Sequence, residues 1–284
     1  MKIKEFYDQD TATFTYVVSD QQTQAAAVID SVLNYDIFSG KTSTKSADEV
    51  INYIVENNLK LEWILETHIH ADHLTASHYI KNKLGGTTAI SKNIIEVLKF
   101  WVPFFNIADD VKLDGSQFDR LLQDGEKIKI GSLECEIVNT AGHTPACISY
   151  KINDVIFVGD AIFMPDIGTA RTDFPGAEAS LAYDSLQKIL AFDDATKIYT
   201  GHDYPPQNRA LSCMSTVGEQ KKNNILIHQN VSREEFIKNR NQRDAGKPVP
   251  KLLLPAIQIN LRAGKFATAE NNGVSYLKIP LNKI

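Results

Sequence analysis

The chain is poor in cysteine, and its three cysteines are not arranged as a disulfide framework. Cys135, Cys147 and Cys213 are odd in number and widely spaced, which is typical of proteins from a reducing compartment. The amino-terminal residues 1–8 also lack the apolar stretch of a signal peptide. We therefore expect a cytoplasmic protein.

Long apolar runs and an excess of positive charge are missing too. No segment of about eighteen consecutive apolar residues occurs, so we expect no membrane-spanning helix. The chain has 35 acidic against 30 basic residues and a formal net charge of −5. Surfaces that bind nucleic acid broadly are basic, so we also expect no nucleic-acid partner.

Hydrophobic periodicity predicts an alternation of strands and helices. Strands are expected at 14–18, 25–30, 61–66, 87–91, 128–130, 133–138, 147–152, 155–158 and 276–279, and helices at 46–58, 76–84 and 179–191. The aromatic segment 92–107 is predicted either as a helix packed on a sheet or as a groove wall or subunit contact. Its residues 94–105 are compatible with a homodimer.

Histidine is present in an informative pattern. Three of the seven histidines lie in the run 67–73, Thr-His-Ile-His-Ala-Asp-His, between a predicted strand and a predicted helix. Loops that leave strands are where α/β folds tend to place their sites. A lone histidine is more typical of a surface or core position, but three histidines and an aspartate within six positions favour a metal site.

The spacing in this run suggests how the side chains are directed. Alternate residues of an extended chain lie on one side, so His68 and His70 can both face one point. After a turn, Asp72 and His73 can face a second point nearby. Neutral imidazole and carboxylate are suitable ligands for zinc and iron.

Three further candidates follow, each just past an apolar run and beside a glycine. They are His143, Asp160 and His202. Glycine allows the backbone to turn sharply into a site. Taken alone, His143 could be a turn residue and Asp160 a helix cap, but the repeated pattern favours a shared site. Cys147, close to His143, is more typical of a small buried hydrophobic residue than of a redox group.

The motifs at 67–73, 142–145, 159–160 and 201–204 resemble those of the metallo-β-lactamase superfamily. The resemblance implies an α/β fold, a four-layer αββα sandwich. We expect residues 1–284 to form one such domain, with a C-terminal extension at about 209–284 packed on it. The length and the 43% of hydrophobic residues are sufficient for one large core.

Within the superfamily, three longer stretches resemble the persulfide dioxygenases, particularly a bacterial subgroup with an extended C-terminus. They are 159–176, 215–224 and 252–260. The implied reaction is oxidation of glutathione persulfide by O₂ to sulfite and glutathione. The expected partners are therefore a small thiol persulfide and O₂.

The ligand types agree with this chemistry. Two imidazoles and one carboxylate, from His68, His143 and Asp160, leave open coordination positions, as in non-haem Fe(II) oxygenases. The resemblance implies that this triad holds one Fe(II) per chain, with zinc as the alternative metal. The second set is then expected to be vacant; it consists of His70, Asp72, His73 and His202.

Two residues are candidates for substrate binding. The guanidinium of Arg171 can bind a glutathione carboxylate through two parallel hydrogen bonds. Its alternative is an ion pair with Asp173 or Asp166, and we expect Asp173 to order the loop. The hydroxyl of Tyr204 can lie near the open metal positions, or Tyr204 can be a buried structural residue.

The main alternative is a two-metal hydrolase of glutathione thioesters. It requires the same seven ligands, with Asp160 bridging two metals that activate a hydroxide. The sequence context at 170–174, Ala-Arg-Thr-Asp-Phe, favours the dioxygenase. A regulatory protein that binds metal without turnover is a third possibility, which the full ligand set disfavours.

Overall fold

The computed structural model describes residues 1–283. Its strands are β1 (Lys2–Asp8), β2 (Thr13–Ser19), β3 (Ala25–Ile29), β4 (Val32–Asp36), β5 (Lys41–Ser43), β6 (Lys60–Leu65), β7 (Leu74–Thr75), β8 (Thr87–Ser91), β9 (Arg120–Leu122), β10 (Lys127–Ile130), β11 (Leu133–Asn139), β12 (Ile148–Ile152), β13 (Val155–Gly159), β14 (Lys197–Thr200) and β15 (Met214–Thr216). Its helices are α1 (Lys45–Glu56), α2 (Ser77–Leu84), α3 (Ile94–Phe105), α4 (Ala179–Leu190), α5 (Val217–Asn223), α6 (Arg233–Asp244) and α7 (Leu253–Asn260).

Two six-stranded sheets form the centre of the fold. Their strand orders are β1-β2-β3-β6-β8-β9 and β10-β11-β12-β13-β14-β15, and a small third sheet has the order β5-β4-β7. Apolar side chains from both large sheets, such as Tyr16 and Ile29 from the first and Tyr150 and Phe157 from the second, form one core between them. The two sheets therefore pack face to face.

Helices cover the outer face of each sheet. Val50 of α1 and Ile80 of α2 pack with Val28 against the first sheet. Ile189 of α4 and Phe236 of α6 belong to the apolar cluster on the second. The four layers are helix, sheet, sheet and helix, so the predicted αββα sandwich is confirmed.

Strand β2 shows why the sequence of this fold has continuous apolar runs. Tyr16 and Val18 face the core between the sheets, while Val17 faces the helical layer. Side chains alternate between the two faces of a strand, and both faces are buried here. Apolar residues therefore follow one another directly at positions 16–18 instead of occupying every second position.

Most of the predicted elements form. The strands at 14–18 and 25–30 pair antiparallel as β2 and β3, and the segment 92–107 contains helix α3 with Trp101 and Phe105 buried. The strand predicted at 276–279 is wrong. Lys278 hydrogen-bonds through its backbone N–H and C=O to the side chain of Gln258, at 2.9 Å each, so a side chain of α7 takes the place of a neighbouring strand.

The segment after about residue 209 contacts both outer layers. Phe236 of α6 belongs to the cluster on the second sheet, whereas Ile257 of α7 packs with Leu98 of α3 beside the first. Among residues 1–283, no helix is both long and apolar enough to cross a bilayer.

Candidate metal centre

The candidate ligands come together where strands end. His68, His70, Asp72 and His73 lie on the loop after β6, and the other three follow β11, β13 and β14. Backbone hydrogen bonds join these loops: Ile148 N–H donates to Thr67 O at 2.9 Å, and Gly201 N–H donates to Gly159 O at 2.9 Å. The sheets therefore bring together residues that are far apart in the chain.

One set of ligand atoms comes from His68, His143 and Asp160. All three side chains are buried, and one ligand atom from each lies within 4.8 Å of the other two. The Oδ2 atom of Asp160 is 4.0 Å from His68 Nε2 and 3.7 Å from His143 Nε2. This separation leaves space for one ion between the three groups.

A second set lies on the other side of Asp160. His202 Nε2 is 3.4 Å from Asp160 Oδ1 and 3.0 Å from Asp72 Oδ2. Ligand atoms of His70, Asp72 and His73 also lie within 4.8 Å of one another. The two oxygens of Asp160 thus face different sets, which is the arrangement of a bridging carboxylate.

Backbone carbonyl groups fix the tautomers of two ligands. His143 Nδ1 lies 2.7 Å from Arg171 O, and His202 Nδ1 lies 3.1 Å from Ala12 O. A carbonyl oxygen only accepts, so each Nδ1 carries a proton and each Nε2 faces the site. Such outer hydrogen bonds orient metal-ligating histidines in general.

Buried acids hold the remaining histidines of the loop. Thr67 donates its N–H and its hydroxyl to the Asp30 carboxylate at 2.7 and 2.8 Å, so Thr67 Oγ1 can accept from His68 Nδ1 at 3.0 Å. His70 Nε2 lies 3.1 Å from Asp30 Oδ1 and 3.2 Å from Glu66 Oε2. His70 therefore turns Nε2 away from the site and leaves Nδ1 without a partner.

The charge states follow from burial and from these neighbours. Burial lowers the pKa of His68 well below its usual value and that of His73 to about 3, so both are held in the neutral form that binds metal. Burial also lowers the pKa of His70, but Asp30 and Glu66 outweigh it and raise the pKa well above its usual value.

Unpaired buried atoms test whether a metal fits. Eight buried side-chain N or O atoms of residues 1–283 have no hydrogen-bond partner, and six of them belong to candidate ligands: His68 Nε2, His70 Nδ1, Asp72 Oδ2, both ring nitrogens of His73, and Asp160 Oδ1. Leaving such atoms unpaired is unfavourable. Their concentration in one place fits metal ions as the missing partners.

Two glycines allow the loops to approach so closely. A Cβ on Gly159, whose φ is +51°, would lie 2.2 Å from Thr67 Oγ1. A Cβ on Gly142, with φ +152°, would lie 2.4 Å from Ala182 Cα. Neither contact is possible for a larger residue, so the glycine beside each ligand is required by close packing as well as by backbone conformation.

Comparison with known proteins agrees with this architecture. Residues 10–202, which include all seven candidate ligands, match the family model described as "Metallo-beta-lactamase superfamily". The chain belongs to the metallo-β-lactamase superfamily. Metal binding by the buried histidine and aspartate cluster is consistent with this membership.

Three named relatives cover nearly the whole chain. Glyoxylase B2 of Dictyostelium discoideum is 49% identical over 99% of this chain and 97% of its own length. A protein of Burkholderia pseudomallei named "Probable metallo-hydrolase" is 42% identical over 100% of both chains. The mitochondrial persulfide dioxygenase ETHE1 of Homo sapiens is 29% identical over 92% of this chain and 88% of its own.

A solved structure is similar as well. ETHE1 from Myxococcus xanthus has a TM-score of 0.75 and 29% sequence identity, covering 93% of this chain and 100% of that chain. The expected resemblance to the persulfide dioxygenases within the metallo-β-lactamase superfamily is thus confirmed as a similarity of sequence and fold.

Two cavities large enough for a small molecule adjoin the candidate metal centre. The smaller, of about 280 Å³, is lined by His143, Asp160 and Asp72, together with apolar residues such as Phe163 and Phe174. The larger, of about 840 Å³, touches only Asp72 among the candidate ligands. A molecule that reacts beside the first ligand set therefore has to occupy the smaller cavity.

The predicted substrate contacts line this smaller cavity. The Nε and Nη2 atoms of Arg171 donate to Asp173 at 2.5 and 2.6 Å, and Nη1 donates to Pro248 O at 2.8 Å. Asp166 pairs with Arg209 at 2.6 Å and not with Arg171. Substrate binding by Arg171 remains a prediction.

Tyr204 is half-exposed at the mouth of the site. Its ring stacks on His202, with centroids 5.8 Å apart and an angle of 10° between the planes. The side chain lines the smaller cavity. A role of its hydroxyl in substrate binding also remains a prediction.

Three polar residues that support the site were not predicted from the sequence. Asp30 and Glu66 hold the histidine loop, and Asn260 of α7 donates to His70 O and His73 O at 2.8 Å each. Asp30 ends an apolar strand just as Asp160 does, a signal that was available. Asn260 is a polar residue in a largely apolar helix. That pattern does not indicate which groups the side chain contacts.

Proposed function

We propose that the protein is a persulfide dioxygenase with a mononuclear Fe(II) centre held by His68, His143 and Asp160. The balanced reaction is glutathione persulfide plus O₂ plus water giving glutathione, sulfite and two protons. The observation that carries the proposal is the buried convergence of two imidazole nitrogens and one carboxylate oxygen within 4.8 Å. This donor set is that of non-haem iron oxygenases.

His70 is not part of the triad, which therefore has three protein ligands. Its Nε2 is directed to Asp30 and Glu66, and it groups with Asp72 and His73 instead of with the triad. Iron, when bound, would supply the electron transfer to O₂ that zinc cannot. The similarity to a protein named persulfide dioxygenase also supports the proposed reaction.

The residues of this chain would bind and shield the substrate. His143 Nδ1 donates to Arg171 O, which directs Nε2 toward the site. Phe163 and Phe174 provide an apolar wall of the smaller cavity that excludes water from the reacting sulfur. Arg171 and Tyr204 are the proposed polar contacts, and the Arg171–Asp173 pair orders the loop.

A two-metal thioester hydrolase is the second candidate. Asp160 directs one oxygen to each ligand set, and Asp72 and His202 complete the second set, so the chain has every ligand that two metals require. A relative at 42% identity is named a metallo-hydrolase. Both candidates use the same cavity.

One experiment separates the two candidates. The protein is purified anaerobically with reductant, its metals are counted, and the same sample is assayed for O₂ uptake with glutathione persulfide and for hydrolysis of a glutathione thioester. We expect about one iron per chain and O₂ uptake. Two metals per chain, with thioester hydrolysis and no O₂ uptake, would establish the hydrolase instead.

A further inference from the structure

We infer that Arg243, near the end of α6, binds a carboxylate of the thiol carrier, so that the substrates of this site are anionic thiols. The inference rests on the proposed function only in that a thiol-bearing molecule enters the smaller cavity. Its location is the wall of that cavity, which is shared with His143 and Asp160.

The cavity wall is strongly basic. Four cationic side chains line it, Arg171, Arg240, Arg243 and Lys247. The carboxylates in the same lining are Asp72 and Asp160, both of them candidate metal ligands. With their charge directed to a metal, the wall presents a positive potential to an entering molecule.

Three of these cations are already engaged by the protein. Arg240 is buried and paired with Asp244 at 2.5 Å, Lys247 Nζ lies 3.3 Å from the same carboxylate, and Arg171 is paired with Asp173. Among residues 1–283, no carboxylate oxygen lies within 4.0 Å of the Arg243 guanidinium. Arg243 is thus the cation of this wall that forms no ion pair with the protein.

The support beneath Arg243 is rigid. Asp244, the next residue, accepts the Thr172 N–H at 2.8 Å, and Arg240 Nη1 donates to Thr169 O at 2.9 Å. These buried contacts attach the end of α6 to the loop that also carries Arg171. The guanidinium of Arg243, carried on this end of the helix, can bind a planar carboxylate through two parallel hydrogen bonds.

The larger cavity is less suited to an anion. Its lining contains three lysines and four aspartates. The aspartates are Asp8, Asp10, Asp36 and Asp72. An anionic carrier is therefore favoured in the smaller cavity. Its sulfur would lie beside His143 and Asp160, and its carboxylate would lie at Arg243.

The test is equilibrium binding, which does not depend on turnover. Iron-loaded protein is titrated anaerobically with glutathione and with glutathione diethyl ester, in which both carboxylates are masked. Arg243→Gln should weaken glutathione binding by about 10-fold or more and leave ester binding unchanged. Arg243→Lys, which keeps the charge, should recover part of the affinity.

A matched control lies on the same helix. Lys238 is exposed and is not part of either cavity lining, so Lys238→Gln makes the same charge change and should alter neither titration. The inference is overturned by equal weakening of glutathione and ester, by no weakening at all, or by a wild-type protein that does not bind glutathione. If the protein shows no O₂ uptake but still binds glutathione in a carboxylate-dependent way, the dioxygenase proposal is wrong and the inference about Arg243 is still supported.

Discussion

The side-chain amide nitrogen of Asn260 lies 2.8 Å from the backbone carbonyl oxygen of His73, a residue 187 positions earlier in the chain. The same nitrogen donates to His70 O, and Asn260 Oδ1 accepts the Thr75 N–H at 2.8 Å. One buried side chain of α7 therefore satisfies three backbone groups of the histidine loop. The C-terminal helix thus has a direct part in the geometry of the metal centre.

Replacing Asn260 by alanine should loosen this loop. The buried partners of His70 O, His73 O and Thr75 N–H disappear, and each unpaired group costs about 1–3 kcal/mol. We expect a total loss of about 3 kcal/mol in the free energy of unfolding, together with weaker metal retention. Urea unfolding and metal analysis measure both.

The control for this prediction is Asn241→Ala. Asn241 is exposed on α6, and alanine is the better helix former, so stability should be unchanged or slightly higher. Full metal content and unaltered unfolding in the Asn260 variant would show that the loop keeps its shape without the amide.

The two ligand sets should respond differently to removal of one histidine. His143→Ala removes a member of the proposed iron triad, so iron should fall below about 0.1 per chain and O₂ uptake should disappear with it. His202→Ala affects only the second set and should leave about one iron per chain. Metal analysis of both variants is the measurement. Loss of metal from both to the same degree would favour a two-metal centre.

Close packing at Gly159 predicts a position-specific effect of an added methyl group. Gly159→Ala and Gly246→Ala both place alanine in the left-handed region, at φ of +51° and +75°, which costs about 1–2 kcal/mol in each. Only at Gly159 does the new Cβ collide with Thr67 Oγ1. We expect Gly159→Ala to be less stable than Gly246→Ala by at least about 2 kcal/mol.

Metal analysis extends this comparison, because Thr67 also accepts from the ring of His68. The Gly159 variant should retain less metal, whereas Gly246, with nothing within 4 Å of its added Cβ, should not affect it. Equal stabilities and equal metal contents would mean that Thr67 can move aside without consequence.

The thiol of Cys147 should be unreactive toward alkylating agents in the folded protein. Burial raises the pKa of its thiol to about 12, despite hydrogen bonds from Thr144 that lower it. At pH 8 the thiolate is then about one part in ten thousand, so native protein should resist alkylation at Cys147. In denaturant, where the ordinary pKa of about 8.5 returns, it should react. Mass spectrometry of the alkylated protein distinguishes the two states.

The raised pKa of Cys147 also makes the stability of the fold depend on pH. The folded protein holds the Cys147 proton more tightly than the unfolded chain does, so this contribution is full below about pH 8.5 and declines as the pH rises toward 12. Cys147→Ala should keep O₂ uptake. Alkylation of Cys147 in the native protein would show that the thiol is accessible and reactive, contrary to this prediction.

The candidate ligands could be named from the sequence because each lies in a local pattern. The spacing of 67–73 and the glycine beside His143, Asp160 and His202 are visible in a few residues of sequence. Strand β2 was predictable for the same reason, since burial of both faces makes a continuous apolar run. The strand at 276–279 failed because a strand needs a neighbour, and no local pattern shows that the side chain of Gln258 replaces one.

The sequence by itself indicated the candidate ligands of this protein, its αββα layers and its superfamily. Only the tertiary structure decided that His70 turns to Asp30 and Glu66, and that Arg171 is paired while Arg243 forms no ion pair with the protein. The reason is physical. Which polar groups satisfy one another in a buried site depends on contacts between segments distant in the chain, and the pattern within each segment does not carry that information.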